Sequence, residues 1–170
     1  MTTPFRSFLA AGLLVSGTFG PAFAWQIEIP APPSDAPFRP LNITQSIAVD
    51  PDDDVIVGGR LAVPAGVAAA HEDLGVVKLS GADGSEIWRK TIDSGRSGRG
   101  TAKVDPNGDV IVVGSVTNLD AGSTTDILAV KLAAATGDVI WTRRINGTAN
   151  DGDVAGGFDI DGSGDVVLTG

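Results

Sequence analysis

Twenty residues of this chain occur twice. Asp73-Leu-Gly-Val-Val-Lys-Leu-Ser-Gly-Ala-Asp-Gly-Ser-Glu-Ile-Trp-Arg-Lys-Thr-Ile92 aligns without a gap on Asp126-Ile-Leu-Ala-Val-Lys-Leu-Ala-Ala-Ala-Thr-Gly-Asp-Val-Ile-Trp-Thr-Arg-Arg-Ile145. A shorter block occurs three times, at Val49–Gly59, Val104–Gly114 and Ile160–Gly170. The first two copies of these blocks lie 53 and 55 residues apart. A fixed period of this size restricts the chain to a modular fold in which each unit buries its faces against the next.

The units read as short strands. In the second unit the strands are expected at residues 101–105, 109–116, 127–133 and 139–145. In the first they are expected at 46–50, 54–60, 74–80 and 86–92, and a third unit begins near Val154. Asp105-Pro-Asn-Gly108 places Pro where φ is preset and Gly where φ turns positive, as a hairpin turn with a glycine bulge requires. Gly164 repeats the device, and Asp53 stands at that place in the first unit, where an Asp tolerates positive φ at some cost. Gly84 and Gly137 turn the hairpins between strands three and four. Val55-Ile-Val57 and Val110-Ile-Val-Val113 are continuous apolar runs, which implies sheets covered on both faces. Four strands in a unit of about 50 residues is the period of a propeller blade. The expected fold is all-β: a partial β-propeller of four-stranded antiparallel blades, incomplete at its C-terminal end. The expected units are residues 45–99, 100–152 and a partial 153–170.

The N-terminal residues carry other signals. Arg6 precedes the apolar run Phe8–Val15, and Ala22-Phe-Ala24 is the small-x-small pattern of a cleavage site. Residues 1–24 therefore read as a secretory signal peptide, too short to span a membrane. This predicts an exported protein, periplasmic or extracellular in a bacterium. Residues 25–44 are Pro-rich, with a possible strand at 25–29. Cleavage after Ala24 takes one of the 12 basic residues and none of the 21 acidic ones, leaving a net charge of −10. Such a chain repels phosphate backbones, so nucleic acid is a poor partner. No later stretch is apolar enough to span a membrane. There is no Cys, so stability must come from burial or from metal.

At these residues the chain resembles the bacterial β-propeller repeats, both the seven-bladed repeats and the pyrroloquinoline-quinone-like propellers. The resemblance rests on Asp105–Gly114 with Asp126–Trp141, and less cleanly on Asp50–Gly59 with Asp73–Trp88. It covers residues 46–170. It implies that Trp88 and Trp141, at the end of the Gly-x-x-x-Trp pattern, pack each blade against its neighbour. A closed ring has roughly four to eight blades, so two and a half units predict a piece of a longer protein. Assembly of several copies into one ring is the alternative, and a remnant with no folded product is a third.

The residues that could carry chemistry are few. Asp50, Asp52, Asp53 and Asp54 put four carboxylates in five positions. Asp159, Asp161 and Asp165 lie at alternating positions like the first half of a calcium loop, but Gly170 stands where that loop needs a bidentate Glu. The candidate calcium ligands are therefore Asp50, Asp52, Asp54, Asp159, Asp161 and Asp165, with turn formation the simpler account because these positions form a turn in every unit. Asp73 and Asp126 open strand three and suit local capping. Lys78 and Lys131 either pair with acids of a neighbouring blade or reach solvent. His71, the only His, sits in a variable loop and cannot make a zinc site alone. No Gly-x-Ser-x-Gly elbow or phosphate cradle is present. Asn42 and Asn146 fit a weak glycosylation sequon.

The expected function is a non-catalytic binding or structural scaffold. The loops Arg60–Glu72 and Ser115–Thr125 would present a surface for a protein or carbohydrate ligand. The alternative is part of a quinoprotein-like dehydrogenase using pyrroloquinoline quinone. Against it stand the missing adjacent Cys pair and the lack of a recognisable Asp-Glu-Asn constellation. No resident cofactor is expected under the first reading, apart from possible calcium.

Overall fold

The turn chemistry sets where each strand stops. Asp50, Asp105 and Asp161 each use Oδ1 to accept the backbone N–H groups two and four residues on, at 2.8–3.0 Å. Two bonds to one oxygen hold the backbone in a tight reversal, the local device for which Asp is favoured in turns. The reversal completes with positive φ at Asp53 (64°), Gly108 (86°) and Gly164 (86°). Gly84 (76°) and Gly137 (70°) do the same in the second kind of hairpin. All five positive-φ positions are those the repeat predicts.

The computed structural model describes Ile27, Ile29 and residues 43–62, 72–92, 99–117, 125–149 and 151–170. Among them run ten strands: β1 (Ile43–Val49), β2 (Val55–Ala62), β3 (Glu72–Leu79), β4 (Glu86–Ile92), β5 (Arg99–Val104), β6 (Val110–Val116), β7 (Asp126–Leu132), β8 (Val139–Ile145), β9 (Gly157–Ile160) and β10 (Val166–Thr169). β1–β4 form one antiparallel meander and β5–β8 a second, while β9 and β10 form a two-stranded sheet. The expected strands are present, with ends shifted by up to three residues, as hairpin pairing extends strands past their apolar cores. The fold is all-β and consistent with a partial propeller. The signal-peptide residues, His71 and the middle of both variable loops lie outside the described residues. Of the possible strand at 25–29, only Ile27 and Ile29 are described, and neither is in a strand.

The sheets stack face to face. Ile56, Leu74, Val76 and Trp88 of the first blade meet Ala102, Val110, Val112, Leu128, Val130 and Leu132 of the second in one buried cluster. The alternate residues of the second blade, Ile111, Val113, Ile127 and Ala129, face the third unit, where Phe158, Ile160, Val166 and Leu168 cover them. This alternation explains why Val110–Val113 is apolar throughout: odd and even positions serve different interfaces, and all four are buried. Val55 and Val57 pack with Leu61, Val77, Leu79 and Ile29 and stay half-buried. At Gly58 the blades approach so closely that a Cβ would meet the Ala102 Cβ at 2.7 Å. Beside it, Ser46 Oγ accepts the Ala102 N–H at 2.7 Å, and Gln45 Oε1 accepts the Gly100 N–H at 3.0 Å.

Candidate functional site

Two sets of polar residues recur in the blades, and they have different environments. The first set is internal. Lys78 on β3 places Nζ 2.7 Å from Asp50 and 3.2 Å from Asp54, both on the β1–β2 turn of its own blade. Lys131 on β7 repeats this with Asp105 at 2.7 Å and Asp109 at 3.0 Å. The sequence left these lysines between a neighbouring blade and solvent; the acids belong instead to the same blade, two strands away. The second acid also accepts the backbone N–H that opens the next hairpin turn: Asp54 from Gly81 at 3.1 Å, and Asp109 from Ala134 at 3.0 Å. One lysine and two acids thus tie the inner hairpin of a blade to its outer hairpin.

The charges are held in their ionised forms. Burial pushes the Asp50 carboxyl up, but Lys78 and the amides of Asp54 and Asp52 outweigh it and leave the group below its ordinary range. Asp105 behaves alike, with burial overcome by Lys131 and backbone donors. Burial lowers Lys78, and the hydrogen bonds from Asp50 and Asp54 overcome it and raise the ammonium. The hydrogen bond to Asp105 is the main cause that raises Lys131. A charge this well paired is a structural element of the blade.

The remaining candidates for calcium are scattered. Asp52 is exposed. Asp159 lies 2.7 Å from Lys103 of the second blade, which also sits over the Phe158 ring at 5.4 Å. Asp161 and Asp165 are exposed and joined only through the turn, where Asp161 Oδ1 accepts the Asp165 N–H. Among the described residues no three acid or His side chains converge as a cation requires. Asp126 is fully buried and has the Arg144 guanidinium at 3.4 Å from the adjacent strand.

The tryptophans do what the resemblance implies, to different degrees. Trp88 is buried, and its Nε1 donates to the Ala134 carbonyl in the hairpin turn of the second blade, at 3.0 Å. Lys78 Nζ donates to that same carbonyl at 3.3 Å. Trp141 is half-buried against the third unit.

The second set of polar residues opens outward. A cavity of about 460 Å³ lies where the second blade meets the third unit. Gln45, Arg99, Thr101 and Phe158 line it, together with Ser115 and Thr125. Those last two are the feet of the second variable loop. Both also hold the third unit in place: Ser115 Oγ accepts the Ala155 N–H at 3.0 Å, and the Thr125 carbonyl accepts the Asp153 N–H at 2.8 Å. One cation, several hydroxyl and amide groups and an aromatic edge suit a peptide-like or otherwise polar ligand. Sequence reasoning named the loop and missed the cavity, since its walls come from three units.

No curated protein matches the chain. A family model described as outer membrane protein assembly factor BamB matches residues 39–162. The matched stretch begins just before β1 and ends within the third turn, so it spans both complete blades. With the stacked four-stranded sheets and the inter-blade tryptophan, the match places the chain in the pyrroloquinoline-quinone-like β-propeller repeat family.

Proposed function

We propose that this chain is an exported, non-catalytic scaffold that holds a protein ligand over the blade ends carrying the variable loops. The cavity at the feet of the Ser115–Thr125 loop carries this reading. A rigid sheet stack that presents variable loops around a cleft is a common way to build a binding surface. The described ion pairs at Lys78 and Lys131 serve the blade itself, which leaves recognition to the loop end. The matching family is described as an assembly factor for outer membrane proteins, and this supports a protein ligand in the cell envelope. The apolar run and Ala-x-Ala-like cleavage pattern of residues 1–24 support export.

Photocrosslinking in the native host tests the proposal. A photoreactive residue at Thr101 or Ser115 should give discrete protein adducts, and one at Glu86, at the far end of the blade, should give none. Equal labelling at both ends overturns the binding surface. A mature product that retains Met1 overturns export. Dye reduction dependent on added pyrroloquinoline quinone overturns the non-catalytic role and favours the dehydrogenase.

A further inference from the structure

The third unit repeats the first half of a blade, and the first two blades specify what pairs with it. β9 matches β1 and β5, and β10 matches β2 and β6, each with the same Asp turn between them. In the complete blades the next strand adds to the far edge of β2 and β6. The Leu of its Lys-Leu pair sits opposite Val55 or Val110, and the Lys opposite Ile56 or Ile111. Among the described residues β10 pairs only with β9.

Three further groups stand in the matching geometry. Asp161 and Asp165 hold the positions of Asp50 and Asp54, on a turn with the same two Oδ1 bonds. They are exposed, and among the described residues no cation lies within ion-pair distance of either. Trp141 holds the position of Trp88, yet it is half-buried and no carbonyl among the described residues accepts its Nε1. Ile145 holds the position of Ile92, which packs into the cluster between the first two blades, whereas Ile145 is 39% exposed. Lys131 is covered less than Lys78, with 17% against 5% of its side chain exposed. These groups lie along one strip from the β10 edge across the outer half of the second blade.

We propose that this strip is a docking surface for a lysine-bearing β-hairpin supplied from outside residues 1–170. Its first strand adds antiparallel to β10, with a Leu opposite Val166 and a Lys opposite Val167. The ammonium sits between Asp161 and Asp165. Three residues after the lysine, one backbone unit makes two bonds: its N–H donates to Asp165 and its carbonyl accepts from Trp141 Nε1. Main-chain pairing supplies affinity, as in other strand additions, and the acid pair selects lysine and fixes the register. This surface is separate from the loop-end cavity, so either proposal can fail without the other.

The probe is a synthetic peptide with the sequence of residues 125–146, the chain's own hairpin of this pattern, titrated into the full-length protein. Saturable one-to-one binding is expected, with new hydrogen-exchange protection at the β10 amides. A blue shift of indole emission should also appear and be absent in Trp141→Phe. Replacing the peptide lysine by Glu, or Asp161→Asn in the protein, should weaken binding roughly tenfold, the worth of a charge-assisted hydrogen bond. Asp161→Lys should lose the native peptide and regain affinity for a peptide with Asp in place of its lysine. No saturable binding at millimolar peptide overturns the proposal. So does binding that ignores the lysine, or self-association of the protein through β10.

Discussion

Trp88 and Ala134 join two blades through one hydrogen bond, Nε1 to carbonyl oxygen at 3.0 Å. Trp88 closes the outer strand of the first blade, and Ala134 opens the hairpin turn of the second. The indole also lies on Gly137 of the same turn, so a single turn supplies both a polar and a steric seat for the ring.

Trp88→Ala should therefore cost about 3–5 kcal/mol, as large aromatic truncations in cores do. Trp88→Phe, which keeps the ring face and loses the donor, should cost about 1–2 kcal/mol. Trp141→Ala should cost less than Trp88→Ala, because Trp141 is only half-buried. Urea unfolding of the three variants checks the order. Equal losses at the two tryptophans would remove the distinction between their environments.

Gly137 and Gly164 separate conformational strain from contact. Both have positive φ, at 70° and 86°. A Cβ on Gly137 would meet the Trp88 ring at 2.7 Å, whereas on Gly164 its nearest neighbour is Asp105 Oδ2 at 3.9 Å. Gly164→Ala should cost about 1–2 kcal/mol from backbone strain alone. Gly137→Ala should cost more and disturb Trp88 emission. Identical losses would show that the ring yields freely.

The Asp50–Lys78 pair is buried on both sides. Removing one partner strands the other charge, so Lys78→Met should cost about 3–5 kcal/mol. The double variant Asp50→Asn with Lys78→Met should recover part of this, because no charge is then left unpaired. A double-mutant cycle on thermal or urea unfolding measures the coupling. Strict additivity would mean that the two side chains do not act on each other.

These residues show what was readable and what was not. The repeat predicted the strands, the five positive-φ turns and the tryptophan contact, because each depends on spacing within a unit or on one neighbour. The lysine pairing was visible only in part. Lys78 and Lys131 recur beside apolar residues, and an Asp turn recurs at a nearly constant distance before each. Only strand pairing shows that β3 carries the lysine back to the turn two strands away. A recurring Lys and a recurring Asp at matched offsets are the signal that could have found it. The cavity was not legible, since Gln45, Arg99, Ser115 and Phe158 come from separate segments with no shared pattern. Its position depends on how the third unit seats against the second.

The same ion pairs predict a stability plateau. Asp50 and Asp105 titrate below their ordinary range when folded. Their contribution is complete above the unfolded carboxylate value of about 3.9 and is lost as pH falls through the lower folded values. Lys78 and Lys131 titrate above their ordinary range. Theirs is complete below about 10.4 and is lost as pH rises through the folded values. Thermal midpoints should be nearly flat between about pH 5 and 10 and fall on either side. In Lys78→Met, burial acts on Asp50 without its main counterweight, so the acid limb should begin at higher pH. An acid limb unmoved by that substitution would exclude Asp50 as its source.

Asp53 is the one non-glycine residue with positive φ among those described, at 64°. Gly108 and Gly164 fill the same place in the other two units. The left-handed conformation costs a residue with a Cβ about 1 kcal/mol, partly relieved for Asp by local hydrogen bonding. Asp53 also adds a fourth carboxylate to a segment where only Asp50 and Asp54 have Lys78 as a partner. Asp53→Gly should then stabilise the first blade by roughly 0.5–1 kcal/mol, even though glycine raises the entropy of the unfolded chain. Asp53→Ala, which removes the charge and keeps the strain, should gain less or lose stability. Urea midpoints of the two variants against the parent separate the two causes, and a gain in Asp53→Ala equal to that in Asp53→Gly would assign the cost of Asp53 to its charge rather than to its backbone.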